Sequence, residues 1–295
     1  MQSELVKTTT RDGFQLDGAF QQPGGQRPSE LSVDGFCLIH GTGGNFYSSS
    51  LLGDLADRLL QLGCPVLRMN TRGHDGISTA LTPQGGKRQG AAYEIIDDCR
   101  HDLMAWAEWL SERVGPRLGL LGHSMGAVKA LYAVAHEPAL APNAVVAVSP
   151  PRLSYAAFCA SASAGQFLET YQRAESLAAA GKPAALMEVQ TPLPYVITAA
   201  GYVEKYGPDE RYNFLKFLSA VRCPTLITLG GQEVQGNMAF QGLPGDLDSL
   251  AALRKLCQIH VVAGADHFYT GRRTELLDDV DRWLQGISTM RRPLP

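Results

Sequence analysis

Short apolar runs alternate with amphipathic stretches along most of the chain, and this rhythm predicts its elements. Residues 5–10 and 14–20 flank Arg11-Asp12-Gly13, a turn signal, and read as an antiparallel hairpin. Residues 21–33 are rich in Pro, Gly and polar side chains and read as loop. Residues 36–39 form a short apolar strand that ends at His40-Gly41-Thr42-Gly43-Gly44. In 48–62, Leu51, Leu52, Leu55, Leu59 and Leu62 recur at helical spacing, and Gly63 is a stop signal. Residues 66–69 are the next strand. In 93–114, Ile95, Ile96, Cys99, Leu103, Trp106 and Leu110 share one helical face. A strand at 118–121 runs into Gly122-His123-Ser124-Met125-Gly126, with a helix at 125–135 and a strand at 144–148 after it.

The rhythm then breaks. Residues 151–222 show no clear strand, yet hold ten of the twenty Phe and Tyr residues: Tyr155, Phe158, Phe167, Tyr171, Tyr195, Tyr202, Tyr206, Tyr212, Phe214 and Phe217. It returns with a strand at 225–229, a helix at 247–256, a strand at 259–262 and a helix at 274–287. Strands separated by helices imply parallel pairing through right-handed crossovers, hence a sheet covered on both faces. The expected fold is α/β, with a core from 1–150 and 223–295 and a helical insertion at 151–222 over one end of the sheet.

Composition narrows the functional classes. The chain is 45% hydrophobic and 19% charged, ordinary for a globular protein. A formal net charge of -3 offers no basic surface for nucleic acid or anionic lipid. The apolar runs are strand-sized, so no membrane span is expected, and the polar first ten residues lack the apolar middle of a signal peptide. A cytoplasmic protein is the expectation. The six cysteines stand at least 27 residues apart with no C-x-x-C pair, and read as reduced, partly buried thiols. The seven histidines form no H-x-H or H-x-x-x-H pair, so no metal site is expected.

The chemistry centres on Ser124. A serine hydroxyl needs a base to take its proton and donors to hold the oxyanion that forms. Gly122-His123-Ser124-Met125-Gly126 fits G-x-S-x-G, a tight strand-to-helix turn that exposes the serine hydroxyl, and the required strand and helix flank it. The base is expected after the last strand, where Gly264-Ala265-Asp266-His267-Phe268 supplies His267; Asp266 reads as a structural cap of the following turn. The acid should follow the strand at 225–229. Glu233 in Gly230-Gly231-Gln232-Glu233 is the choice, with Asp246 and Asp248 as alternatives. The oxyanion donors are expected to be the N–H of Met125 and that of Thr42, with Gly43 possible in its place. Phe46 and Tyr47, just after this loop, are expected with Gly43 to line the substrate site. Neither G-x-G-x-x-G nor G-K-[ST] occurs at the loop, which disfavours phosphate binding.

Together these residues resemble the α/β-hydrolase superfamily. The resemblance rests on His40-Gly41, Arg72-Gly73-His74, the elbow at 122–126, Gly230-x-x-Glu233 and Asp266-His267, and spans nearly the whole chain outside 151–222. The superfamily's D-x-R-G-x-G-x-S stretch reads Asn70-Thr71-Arg72-Gly73-His74-Asp75-Gly76-Ile77-Ser78 here, with Asn70 in place of the first acid and Arg72 expected to be structural. Asn45-Phe46-Tyr47 and Gly90-Ala91-Ala92-Tyr93-Glu94 are similar to a subgroup that includes fungal siderophore esterases. The resemblance implies that 151–222 caps the active site.

The expected activity is cofactor-free hydrolysis of a carboxylic ester, lactone or thioester of a small molecule through an acyl-enzyme on Ser124. Acyl transfer or C–C bond hydrolysis would use the same triad. A non-catalytic small-molecule receptor that retains the pocket is the alternative of another class. The sequence does not report the oligomeric state.

Overall fold

The computed structural model describes residues 3–24, 31–251 and 256–290. The first half contains β1 (Ser3–Thr9), β2 (Gln15–Gln21), β3 (Gly35–Ile39), α1 (Ser50–Gln61), β4 (Val66–Met69), β5 (Ser78–Thr82), β6 (Gly85–Gln89), α2 (Cys99–Val114), β7 (Leu118–His123), α3 (Met125–His136) and β8 (Ala144–Val148). There follow α4 (Tyr155–Cys159), α5 (Ala164–Ala179), β9 (Leu186–Val189), β10 (Tyr195–Thr198) and α6 (Ala199–Tyr206). The chain closes with β11 (Thr225–Gly230), α7 (Gly231–Gly236), α8 (Leu243–Ala251), β12 (Cys257–Val262) and α9 (Arg273–Met290).

Among the described residues, eight strands form one sheet in the order β1-β2-β4-β3-β7-β8-β11-β12. The β1–β2 and β2–β4 pairs are antiparallel, and every pair from β4 to β12 is parallel. The apolar runs of the parallel strands bury both faces, as such a sheet requires. On one face Cys37, Ile39, Leu120, Val145 and Ala147 pack with Leu103 and Trp106 of α2 and Val128 and Leu131 of α3. On the other, Phe36, Leu38, Leu121, Val146 and Val148 pack with Leu51, Leu55 and Leu59 of α1 and Val280, Trp283 and Leu284 of α9. Burying each such large side chain stabilises the fold by about 1.5–3 kcal/mol. Arg58 of α1 pairs with Asp278 and Asp281 of α9, tying the two helices of that face together.

Segment 151–222 departs from the sequence expectation in one respect. It is mainly helical, but β9 and β10 pair antiparallel as a hairpin, with Tyr195 opposite Val189. The two-residue alternation is present in β9, where Met187 and Val189 are buried between exposed Leu186 and Glu188. Four residues are too short a run to announce it. The aromatic side chains serve largely to pack this segment. Phe158, Phe167, Tyr202, Tyr212 and Phe214 are fully buried, and Phe167 makes edge contacts with Tyr155 and Phe158 at 5.5 and 5.2 Å.

Three further differences are local. The helix expected over 93–114 starts only at Cys99, after a single 3₁₀ turn, because Glu94 is turned inward and leaves its neighbours in a loop. Residues 78–82 and 85–89, to which the sequence pattern assigns no element, pair as the β5–β6 hairpin. The helix expected over 247–256 begins earlier, at Leu243, and part of that expectation lies outside the described residues. Among the described residues no helix is long and apolar enough to cross a membrane. None of the six cysteines is in a disulfide, and all but Cys159 are buried.

Candidate active site

The connections after β3, β7, β8, β11 and β12, five neighbouring parallel strands, carry the residues of interest. Loops at the carboxyl ends of such strands converge on one edge of the sheet, where open α/β sheets bind ligands.

Ser124 is the single residue between β7 and α3. Its backbone adopts φ 56° and ψ -125°, a left-handed-side conformation that L residues rarely occupy. The strain persists because the surroundings fix it: Ser124 N–H donates to Val148 O of the adjacent strand at 2.8 Å. The two motif glycines are required by space. A Cβ on Gly122 would lie 2.3 Å from the Gly126 carbonyl, and one on Gly126 would lie 2.2 Å from Ile39 O. The strand, the helix and β3 meet too closely here for any side chain.

His267 follows β12, and its Nδ1 lies 2.6 Å from Glu233 Oε2. Glu233 sits in the first turn of α7, directly after β11, and is buried. Its second oxygen, Oε1, accepts from Gly230 N–H at 2.7 Å and from Ser149 Oγ at 2.5 Å. The carboxylate is thus held by three donors, and its lone pairs fix the side chain in a single orientation. Ser149 Oγ also lies 3.1 Å from Tyr269 Oη, which donates to Thr228 Oγ1 at 3.0 Å. The His267 ring is flanked by His123, Phe240 and Phe268 at centroid distances of 4.8, 5.5 and 5.2 Å. His123 Nε2–H donates to the His267 carbonyl at 2.9 Å. Burial pushes the His123 imidazole down to about 3, so it is neutral and suited to this support. Asp266 accepts from the Phe268 and Thr270 N–H groups, both at 2.9 Å, and caps the turn that carries His267.

The loop after β3 turns over Ser124. Gly44 N–H donates to Gly41 O at 3.1 Å, closing a turn with Thr42 and Gly43 at its corners and Gly43 at φ 65°. Gly41 packs on the elbow: a Cβ there would be 3.0 Å from Ser124 Cβ. A cavity of about 370 Å³ opens between this turn, Ser124 and His267. Thr42 borders it, as do Ser48, Ser49, Ser50 and Leu51 at the start of α1, Phe268 beside His267, and Leu193 from the β9–β10 connection. Met125 is the first residue of α3, and its N–H is among those that an α-helix leaves without an internal acceptor.

Ser124, His267 and Thr42 therefore share one cavity, and Glu233 is bonded to His267. Gly43, Phe46 and Tyr47 stand outside the lining of that cavity. Tyr47 is exposed and its hydroxyl donates to Asp75, while Phe46 N–H donates to Asn70 Oδ1. Asp246 is exposed and paired with Arg152, and Asp248 is exposed; neither is bonded to His267. Arg72 is buried in a clamp with Asp12, Asp98 and Asp102. Of the aromatic-rich segment 151–222, Leu193 alone reaches the lining. Sequence reading missed Ser149 and Tyr269. The signal for Ser149 is a polar residue at the carboxyl end of the wholly apolar strand β8, next to the strand that leads to Glu233.

The sequence profile of the alpha/beta hydrolase family matches residues 38–280. No curated protein matches the chain by sequence. Among solved structures, the chain is similar to Est1E from Butyrivibrio proteoclasticus with ferulic acid bound: TM-score 0.65, 16% identity, 95% of this chain and 98% of that one covered. It is also similar to GrgF, an alpha/beta hydrolase from Penicillium sp. sh18, at TM-score 0.69 and 14% identity, with 98% and 100% covered. A third likeness is to the Pyrococcus furiosus esterase Pf2001, at TM-score 0.61 and 17% identity, with 96% and 91% covered. At these identities the likeness concerns the fold.

Proposed function

The chain belongs to the alpha/beta hydrolase family, and from that premise we propose that it hydrolyses a carboxylic ester of a small molecule, with Ser124 as nucleophile, His267 as base and Glu233 as the acid that orients it. The supporting observation is the 2.6 Å bond between His267 Nδ1 and a buried, triply held Glu233 on a cavity that Ser124 also borders. With Nδ1 committed to Glu233, Nε2 is the nitrogen left to serve Ser124.

In this reading Ser124 Oγ attacks the carbonyl carbon while His267 Nε2 takes its proton. The carbonyl oxygen becomes an oxyanion held by the N–H groups of Thr42 and Met125. Collapse breaks the ester C–O bond, and His267 gives its proton to the departing alcohol. Water, deprotonated by His267, then cleaves the acyl-enzyme and restores Ser124. Segment 151–222 serves as a cap, with Leu193 as its contact with substrate. The cavity suits a compact neutral acyl or aryl group: Leu51, Leu193 and Phe268 supply apolar walls, and beyond the three histidines every lining side chain is uncharged.

The test is a fluorophosphonate probe and a panel of neutral p-nitrophenyl esters, run on the wild type and on Ser124→Ala. Labelling and turnover in the wild type, both lost in Ser124→Ala, are expected. An inert wild type refutes the ester-hydrolase reading, and an equally active variant refutes the role of Ser124.

A further inference from the structure

A buried polar chain runs from the core to the turn that carries Thr42, and the reaction outlined above makes no use of it. Lys129 lies one turn into α3, its side chain wholly buried, and forms an ion pair with buried Glu94. Burial alone would raise the Glu94 carboxyl, but Lys129 and then Lys205 of α6 hold it below the usual carboxylate range. Space for this carboxylate is reserved by Gly73, where a Cβ would sit 2.0 Å from Glu94 Oε1. Lys129 Nζ also donates to Thr71 Oγ1 at 3.0 Å. Having accepted there, the Thr71 hydroxyl directs its own proton to His40 Nε2 at 3.2 Å, beside the Thr71 N–H at 3.1 Å. With Nε2 an acceptor, the proton of His40 is on Nδ1, which donates to Gly41 O at 2.8 Å. That carbonyl is the one that closes the Gly44 turn. Burial, reinforced by Lys129, pushes His40 down to about 3, which keeps it in this neutral form.

A buried ion pair is weak evidence of stabilisation, because desolvating both charges offsets most of their attraction and apolar residues of similar volume often do as well. What this pair does that an apolar pair would not is aim a donor along a defined path. We propose that Lys129 is a positioning residue: through Thr71 and His40 it fixes the Gly41 carbonyl, and so aims the Thr42 N–H at the oxyanion. The same helix begins with Met125, so Lys129 sets the register of one expected oxyanion donor against the other. The proposal rests on the ester-hydrolase reading for its catalytic consequence, but not for its structural one.

The test compares Thr71→Val, which keeps shape and backbone N–H but removes the relaying hydroxyl, with Thr71→Ser, which keeps the hydroxyl, and with Lys129→Met. Two readouts are taken: p-nitrophenyl ester kinetics, and the ¹H–¹⁵N amide spectrum of residues 41–44 in the folded protein. Thr71→Val and Lys129→Met are expected to lower kcat about 10²-fold, the scale of an ångström misplacement, with KM within about twofold. Their Thr42 and Gly44 amides should shift and exchange faster, whereas Thr71→Ser should recover both rate and spectrum. Unchanged Thr42 and Gly44 amides in Thr71→Val overturn the proposal, as does a Thr71→Ser variant no better than Thr71→Val. If the wild type turns over no ester, the ester reading fails and the amide spectra decide this proposal alone. If Lys129→Met fails to fold, the two Thr71 variants decide it.

Discussion

At the scale of single residues, Glu233 is the most informative position. Its Oε1 is saturated by Ser149 and Gly230, so only Oε2 faces His267. A glutamine there would keep the volume but place an NH₂ group either against two donors, the Gly230 N–H and the Ser149 hydroxyl, or against His267 Nδ1. If it faces the imidazole, it forces the proton onto Nε2, the wrong tautomer for a base. Glu233→Gln is therefore expected to lower kcat by roughly 10³–10⁴-fold with little change in fold, the size of effect seen when a triad acid is made an amide. Steady-state ester kinetics with a circular dichroism control check this, and near-normal rates remove Glu233 from its role. Ser124, Glu233 and His267 were legible as candidates because chain order after successive strands narrows the choices to a few residues. Ser149 and Tyr269 were not, because their importance is a contact with Glu233 across 84 residues and with each other across 120.

At the scale of elements, the elbow is a three-way packing problem rather than a turn of β7 alone. Gly126 is the second residue of α3, yet the atoms that exclude a side chain there belong to the last residue of β3 and the one after it, Ile39 O and His40 O. Backbone carbonyls cannot move aside without breaking strand pairing, so the helix must shift. Gly126→Ala is expected to destabilise the protein by about 3 kcal/mol, the upper end of overpacking penalties, and to displace Ser124 as well. Thermal or urea unfolding measures the first effect and probe labelling the second; a fully stable, fully reactive variant contradicts this packing account. The long periodic elements were readable because their apolar spacing spans several turns or whole buried strands. The β5–β6 and β9–β10 hairpins were not, since five and four residues respectively carry too few repeats of any period.

At the scale of the molecule, buried ionisable groups couple stability to pH. His40 and His123 are held at about 3 by burial, against an ordinary value of 6.5. Between those limits the unfolded chain binds protons that the folded one refuses, so stability falls as pH drops through this window. Glu204 opposes them. Burial raises it from 4.5 to about 7, so the folded state binds the extra proton there and stability rises as pH falls from 7 to 4.5. Two groups outweigh one, and the urea midpoint is expected to be lower at pH 4.5 than at pH 7. Glu204→Gln removes the opposing contribution and should make the drop steeper. A midpoint that is equal or higher at pH 4.5, or unaffected in slope by Glu204→Gln, refutes this balance.

The linear chain specifies the α/β alternation, the serine in its strand-to-helix turn and the strand ends after which His267 and Glu233 lie. Local periodicity and short motifs are properties of neighbouring residues, and a linear chain records them in full. Packing across the sheet, by contrast, places Glu233 rather than Asp246 or Asp248 against His267. The same packing assigned most aromatics of segment 151–222 to its interior and left Leu193 on the cavity. It alone joined Lys129, Thr71 and His40 into one path. Each of these is a contact between residues far apart along the chain, set by which strands lie side by side and how tightly their loops close. Spacing in sequence carries no record of that distance.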